Sequence, residues 1–330
     1  MLDQLKGVDK PFLVIGRAGM DLYPDPAGTK TESATGFFPA LGGSSANIAV
    51  ALSRFGQAAH IVTRVSNDAV GRYAINQLNA YGVDASRVTL APEGTRTSLA
   101  VVESRVEDHQ SVIYRNNAAD FAMDISDIAN INFEDYCALI VTGTCLTLNP
   151  SQDATLEALA RAKQAGLLTI MDLDYRPYSW NSPEQAQAVY NQAVDLLDVI
   201  VGNDDEFGHM AGDYDAGFDY AHSLSQRDKV AIYKRGELGS TTFGPKGLQI
   251  ETGIFRVQPL KPTGAGDSFL GGFLASLCRQ GDLPTALLDG SACAAMVVTR
   301  VGCAPAMPDL AQLNQFKDSN TAEQRIEGDH

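Results

Sequence analysis

Basic residues are scarce in this chain: 25 Lys and Arg stand against 40 Asp and Glu, a formal net charge of −15 over 330 residues. A nucleic-acid surface needs a basic patch, which this balance argues against. An anionic substrate has to be drawn by local Arg, Lys or backbone N–H groups, not by the field of the whole molecule. No apolar run reaches the length of a membrane span, and Met1-Leu2-Asp3-Gln4-Leu5-Lys6 lacks the profile of a secretory signal. Neither a nucleic acid nor a membrane is expected as a partner, and the expected compartment is the cytoplasm. The five cysteines (Cys137, Cys145, Cys278, Cys293, Cys303) are an odd number in no metal-ligand spacing, which reads as buried thiols. The pattern Gly-x-x-x-x-Gly-Lys-Ser/Thr is absent, which sets aside a P-loop NTPase. Internal repeats, low-complexity tracts and linkers are missing too, so one domain over residues 1–330 is the expected division.

The apolar content, 45% of the chain, is ample for a large core. Phe12-Leu13-Val14-Ile15, ended by Gly16, reads as a buried first strand. Gly16-Arg17-Ala18-Gly19-Met20-Asp21 follows at its carboxyl end, where open α/β sheets place their ligands. Residues 22–40, rich in Pro, Gly, Thr and Ser, and two short strands around a polar turn read as excursions from the main sheet, which puts lid segments at about 17–40 and 97–116. Leu41-Gly42-Gly43-Ser44-Ser45-Ala46-Asn47 opens a helix stopped by Gly56, and residues 59–65 form a second strand in which His60 reads as structural. From Ala138 the rhythm is regular. Strands at 138–142, 167–172, 198–201 and 230–234 alternate with helices at about 152–165 and 184–197, before two long helical patterns at about 265–280 and 284–299. The tail after Phe316 reads as frayed. Such alternation means βαβ units: an α/β fold with a mostly parallel sheet, helices on both faces and a small β-strand lid.

The chemistry is expected at Lys261-Pro262-Thr263-Gly264-Ala265-Gly266-Asp267-Ser268-Phe269. Small residues there lead into an apolar pattern of helical spacing, with Phe269, Phe273, Leu274 and Leu277 on one face. The first N–H groups of a helix have no intrahelical partner, and with the helix dipole they form an anion site. Gly264 and Gly266 permit a tight turn and a close approach by phosphate. Asp267 is a poor phosphate ligand but a sensible base for a hydroxyl attacking that phosphate. The bland alternative is a flexible loop capped by Asp before an ordinary buried helix, and this stretch alone does not decide between the two.

Gly42-Gly43 with Asn47 and Ala49, and Lys261 to Leu274 with Gly271 and Gly272, resemble the two signatures of the ribokinase (PfkB-type) sugar kinases. The second matches throughout. The first departs at Ser45, where Gly, Ala or Pro is usual, and at Ser66, which replaces a glycine downstream. The resemblance implies a ribokinase-like three-layer fold and ATP-dependent phosphorylation of a sugar hydroxyl with Mg²⁺. It gives Asp267 the role of base and the N–H groups of Gly264, Ala265 and Gly266 that of anion hole. Asn203-Asp204-Asp205-Glu206 resembles the family's Asn-x-x-Glu motif, implying a metal role for Asn203 and Glu206; an acidic helix cap is equally true of this tetrad. Lys234-Arg235-Gly236 resembles a nucleotide-binding segment, with Lys234 and Gly236 its implied contacts. Asp21, Gly43 and Asn47 are the implied sugar ligands. Arg115 and Arg176 stand where family members acting on sugar acids reach the substrate's carboxylate or keto oxygen, so the small-molecule partners expected are a sugar acid and ATP.

Another sugar kinase of the family is the alternative. A catalytically inactive sugar-binding relative is an alternative of another class, opposed by the intact Asp267, anion loop and Asn203/Glu206 pair. Lids of this family often pair edge strands between subunits, which implies a homodimer through the lid. Lys261 stands where many relatives carry an Asp that helps hold a monovalent cation, so little activation by K⁺ is expected.

Overall fold

The computed structural model describes residues 1–279 and 281–323. The first buried strand, Phe12–Ile15 (β1), leads straight into the lid strand Gly19–Asp25 (β2), which turns back as Gly36–Gly42 (β3). Helix Ser44–Arg54 (α1) returns the chain to the main sheet at Ala59–Val65 (β4); Ala69–Ala80 (α2) and Val88–Leu90 (β5) follow. Leu99–Val102 (β6) and Ser111–Tyr114 (β7) complete the lid. After the single turn Ile125–Ile128 (α3) the alternation runs Ala138–Thr142 (β8), Ser151–Gln164 (α4), Leu168–Asp172 (β9), Pro183–Val194 (α5) and Val199–Asn203 (β10). Asp204–Ala211 (α6) and Gly217–Ser225 (α7) precede Val230–Lys234 (β11), Ser240–Gly244 (β12) and Leu248–Thr252 (β13). Ala265–Cys278 (α8), Leu283–Val298 (α9) and Leu310–Ser319 (α10) close the described chain.

The main sheet has the order β13-β12-β11-β10-β9-β8-β1-β4-β5. It is parallel except at one edge, where β12 and β13 run antiparallel. Its central strands are buried along their whole length, as a sheet covered on both faces requires. One apolar cluster lies between the sheet and α1, α8 and α9; a second lies on the opposite face under α4 and α5. α8 is buried from Ser268 to Cys278 on all sides, more than the one-faced pattern of its sequence suggests. Gly271 and Gly272 permit this: a Cβ on the first would lie 2.3 Å from Ala51 Cβ, and on the second 2.5 Å from Cys293 Sγ.

The lid is a separate four-stranded sheet of order β3-β2-β6-β7. Tyr23, Ala40, Ala100 and Val102 form its own small core, while Phe37, Phe38, Val112 and Tyr114 are exposed on its edge strands. Because β1 feeds β2 without a helix between, the lid stands over the carboxyl ends of the central strands. The expected fraying after Phe316 is corrected: α10 runs on to Ser319, and Glu323 exchanges backbone hydrogen bonds with Ile254. The rest of that tail, 324–330, lies outside the described residues.

Candidate active site

A cavity of about 1020 Å³ lies between the lid, the carboxyl ends of β9, β10 and β11, and the start of α8. Gly264 caps α8 in a left-handed conformation with φ of 85°, and the regular i→i−4 ladder begins with Ser268 N–H donating to Gly264 O at 3.0 Å. The N–H groups of Ala265, Gly266 and Asp267 thus open the helix towards the cavity, as the anion-site argument requires. The Asp267 carboxylate is held from α1: Ser44 Oγ donates to Oδ1 at 2.5 Å and Asn47 Nδ2 donates to Oδ2 at 2.8 Å. Burial, then the neighbouring Asp174 carboxylate, push its pKa up to about 7 against those two donors. Asn47 Oδ1, buried and without a donor, is left to accept a hydrogen bond from a ligand hydroxyl.

Gly43, the cap of α1, has φ of 102°, and a Cβ there would lie 2.3 Å from Arg17 O. A Cβ on Gly42 would overlap Asp21 Oδ1 at 1.9 Å, so that glycine gives Asp21 its place on the cavity wall. Asp21 is buried, accepts from Tyr23 Oη at 3.2 Å, and is pushed above the ordinary carboxylate range chiefly by that burial. The two departures from the first signature are absorbed locally. Ser45 Oγ bonds Ile15 O and Thr142 Oγ1, and Ser66 Oγ bonds Thr97 Oγ1.

Lys234 ends β11 with its ammonium 3.6 Å from Asp172 Oδ2, at the end of β9. A Cβ on Gly266 would lie 3.1 Å from that same ammonium, so Lys234 stands against the anion loop itself. Burial works against its charge, but Asp172, Glu206 and Asp267 outweigh it and raise its pKa. Gly236 lies further along the cavity wall. Asn203 and Glu206 line the cavity as well, locked in a reciprocal cap: Glu206 N–H donates to Asn203 Oδ1 and Asn203 N–H to Glu206 Oε2, each at 2.8 Å. Glu206 Oε1 accepts from Tyr175 N–H at 3.2 Å. Burial first, then Asp172, raise the Glu206 pKa to about 7.

The donor set fits a hard divalent ion. Asp172 Oδ2 is buried with no hydrogen-bond donor, and it lies beside Glu206 and the anion loop. Among the described residues no three acidic, imidazole or thiol groups converge to hold a metal alone. An ion here would take most of its ligands from water and phosphate.

Arg176 lines the cavity mouth and pairs with Asp174 Oδ1 at 2.7 Å; Asp174 sits at an unfavourable φ of 35° in the turn after β9. Arg115, expected beside it, is placed differently. Its guanidinium pairs with buried Asp120, donates to Thr144 O at 3.1 Å and lies 4.1 Å over the Phe121 ring, and it is not among the side chains lining the cavity. A buried carboxylate beneath the lid uses the charge that was expected to meet substrate. Sequence reasoning left out Ser44, Asp172 and Arg17 as site residues, all three of which line the cavity. Asp172 had a usable signal, its place at the carboxyl end of a buried strand.

A 5-dehydro-2-deoxygluconokinase from Photobacterium profundum is 37% identical over 315 residues, covering 93% of this chain and 95% of that protein. Another from Lacticaseibacillus casei is 33% identical, covering 95% of this chain and 97% of its own. A fructokinase double mutant from Vibrio cholerae, solved with fructose, ADP and a potassium ion, aligns with a TM-score of 0.83 at 26% identity, over 94% of this chain and 99% of that one. Fructokinase from Xylella fastidiosa with bound ATP aligns with a TM-score of 0.81 at 25% identity, over 94% and 99%. The description "pfkB family carbohydrate kinase" matches residues 10–310, a span that includes both glycine signatures, the lid and Asp267. The chain belongs to the pfkB family of carbohydrate kinases.

Proposed function

We propose that the chain transfers the γ-phosphoryl group of ATP to a hydroxyl of a sugar acid, and that the acid is 5-dehydro-2-deoxy-D-gluconate, phosphorylated on its 6-hydroxyl in inositol breakdown. The observation that carries the reaction is the Asp267 carboxylate, gripped by Ser44 and Asn47 beside an open helix N-terminus. Asp267 accepts the proton of the sugar hydroxyl; the freed oxygen attacks the γ-phosphorus, and the bond to the β-phosphate oxygen breaks to release ADP. A pKa of about 7 leaves a useful fraction ionised at neutral pH while keeping basicity. The N–H groups at Gly264, Ala265 and Gly266 and the Lys234 ammonium face the charge that develops on the transferred group. Asp172, with Asn203 and Glu206 acting through water, would hold Mg²⁺, which supplies charge neutralisation on the phosphate oxygens. Asp21, Asn47 and the backbone at Gly43 orient the sugar hydroxyls, and Gly236 belongs to the nucleotide half of the cavity.

The sugar acid is supported by the relatives of that name and by Arg176 at the cavity mouth. The second reading is 2-keto-3-deoxygluconate, whose keto and deoxy carbons lie elsewhere; the same arginine favours it over neutral sugars. Turnover of ATP against both acids, fructose and ribose in parallel tests the proposal. Highest kcat/KM with 5-dehydro-2-deoxygluconate is expected; preference for a neutral sugar refutes the acid, and no turnover with any sugar leaves the inactive sugar-binding relative. The reading includes a homodimer through the lid, supported by exposed Phe37, Phe38, Val112 and Tyr114 on its edge strands. It also keeps the enzyme in the cytoplasm, where free thiols such as its five cysteines persist.

A further inference from the structure

An anionic substrate entering this cavity meets Asp21, Asp172, Asp174, Glu206 and Asp267 on its walls. It needs a cation whose charge is not already matched. Among the described residues four Lys or Arg side chains line the cavity: Arg17, Arg176, Lys234 and Arg256. Three are ion-paired, Arg176 with Asp174, Lys234 with Asp172 and Arg256 with Glu323. Among the described residues Arg17 has no ion pair within 4.0 Å, and its side chain makes one hydrogen bond, from Nη1 to Ser98 Oγ at 3.1 Å. Asp21 is its electrostatic neighbour, but the oxygen of Asp21 that finds a donor finds it in Tyr23.

The backbone fixes where this guanidinium stands. Arg17 O accepts the Ala46 N–H at 3.3 Å, and a Cβ on Gly43 would lie 2.3 Å from the same carbonyl, so the Arg17 backbone packs directly against the start of α1. Arg17 is thus pinned at the β1–β2 junction, under the lid, on a wall it shares with Asp21 and Gly43. Tyr178 and Arg176 line the same cavity, and the Tyr178 hydroxyl feels the charges of Arg176, Arg17 and, more weakly, Arg115. A guanidinium with donors to spare matches a carboxylate bidentately, and a half-buried one does so with less competition from water.

We propose that Arg17 is the principal carboxylate-binding residue of the substrate site, with Arg176 as its second, partly neutralised arm. This deepens the sugar-acid reading and rests on it. Arg17 is a specificity residue: it holds the end of the substrate remote from the reacting hydroxyl, so its loss falls on KM for acids and little on kcat.

The test compares wild type, Arg17→Met and Arg17→Lys with 5-dehydro-2-deoxy-D-gluconate and with D-fructose, measuring KM and kcat for each and KM for ATP. Arg17→Met is expected to raise KM for the acid about ten- to a hundred-fold, the usual range for a lost charge-assisted contact. KM for fructose and for ATP should stay within about twofold, and Arg17→Lys should recover part of the loss because it restores charge without the fork. Equal losses for acid and neutral sugar, or a fall in kcat at unchanged KM, overturn the proposal. If wild type turns over neither acid, the parent reading fails, and Arg17 is judged by calorimetric binding of D-gluconate against D-sorbitol. Weaker gluconate binding in Arg17→Met then supports the assignment, and unchanged or absent gluconate binding overturns it. Should Arg17→Met not fold, Arg17→Gln, which keeps a donor for Ser98, takes its place under the same criteria.

Discussion

At the phosphoryl end of the cavity Asp172, Lys234, Glu206 and Asp267 all find partners within the protein, whereas at the lid end Arg17 makes no ion pair within 4.0 Å among the described residues and has only Asp21 as an electrostatic neighbour. The phosphoryl end rests on α8, which is buried on all sides, and on strand ends inside the main sheet. The lid end rests on a four-stranded sheet with a small core and two exposed edges. ATP-dependent sugar kinases share their phosphoryl donor, so the end that binds it can be rigid and internally balanced. The sugar is what differs between kinases, and an unbalanced charge on a small, separately packed sheet is a cheap place to encode that difference.

The comparison breaks first at Asp267. Asp267→Asn keeps volume and most hydrogen bonding but removes the basic lone pair, and kcat is expected to fall about a hundred- to ten-thousand-fold with sugar binding intact. In wild type, kcat/KM should rise with pH below about 7 and level off above it, since the base must be unprotonated and its pKa is raised by burial. In Asp267→Asn the residual rate should lose that rise. Near-normal turnover in the variant, or a wild-type profile flat from pH 5 to 8, removes Asp267 from its role.

A smaller but sharper test uses the arginine that left the site. Asp120 is buried, the Arg115 side chain paired with it is only 8% exposed, and Asp120 Oδ1 already lacks a donor. Arg115→Met leaves that carboxylate uncompensated, a loss of about 3–5 kcal/mol of stability. Denaturation should show it, while the ratio of kcat/KM for sugar acid to that for fructose stays within about twofold. A collapse of that ratio with stability unchanged would return Arg115 to the substrate and weaken the contrast between the two ends.

Much of the phosphoryl end was legible because it is one contiguous stretch: small residues, Asp267 and an apolar helix follow each other in the chain. Lys234 and Asp172 were harder, since their contact joins strand ends separated by a third strand, and sequence spacing carries no trace of it. Arg17 and Arg115 illustrate the limit. Both lie in stretches that invite a substrate role, but only packing decides which guanidinium meets a protein carboxylate. The strand–helix rhythm from Ala138 onward was readable by period alone. β12 was not, because Ser240–Gly244 buries small polar residues instead of the expected aliphatic run. α10 had a signal that went unused: Asp309 and Gln312 form a reciprocal cap, the Asp-x-x-Gln spacing of a helix start.

The smallest effect expected is the response to K⁺, and it bears on the phosphoryl end's self-sufficiency. Lys261 is fully buried. Its ammonium donates to Thr263 O in the anion loop and lies 4.0 Å from Cys303 Sγ, with no carboxylate in ion-pair range among the described residues. Burial is the largest influence on it and lowers its pKa, while Cys303, Asp267 and Asp21 pull the other way. A positive group beneath the loop carbonyls uses an acceptor that an alkali ion would need. It also repels such an ion strongly at the low effective dielectric of the interior. Turnover at saturating Mg²⁺–ATP should therefore change less than about twofold as KCl replaces choline chloride at constant ionic strength, since the fixed charge already does electrostatic work on the loop. The Vibrio cholerae fructokinase, solved with potassium bound, is the natural comparison in the same assay. A several-fold rise specific to K⁺ in this chain would mean that Lys261 leaves room for a cation after all. The phosphoryl end would then be balanced by an ion from solution, and the contrast with the lid end would rest on Arg17 alone.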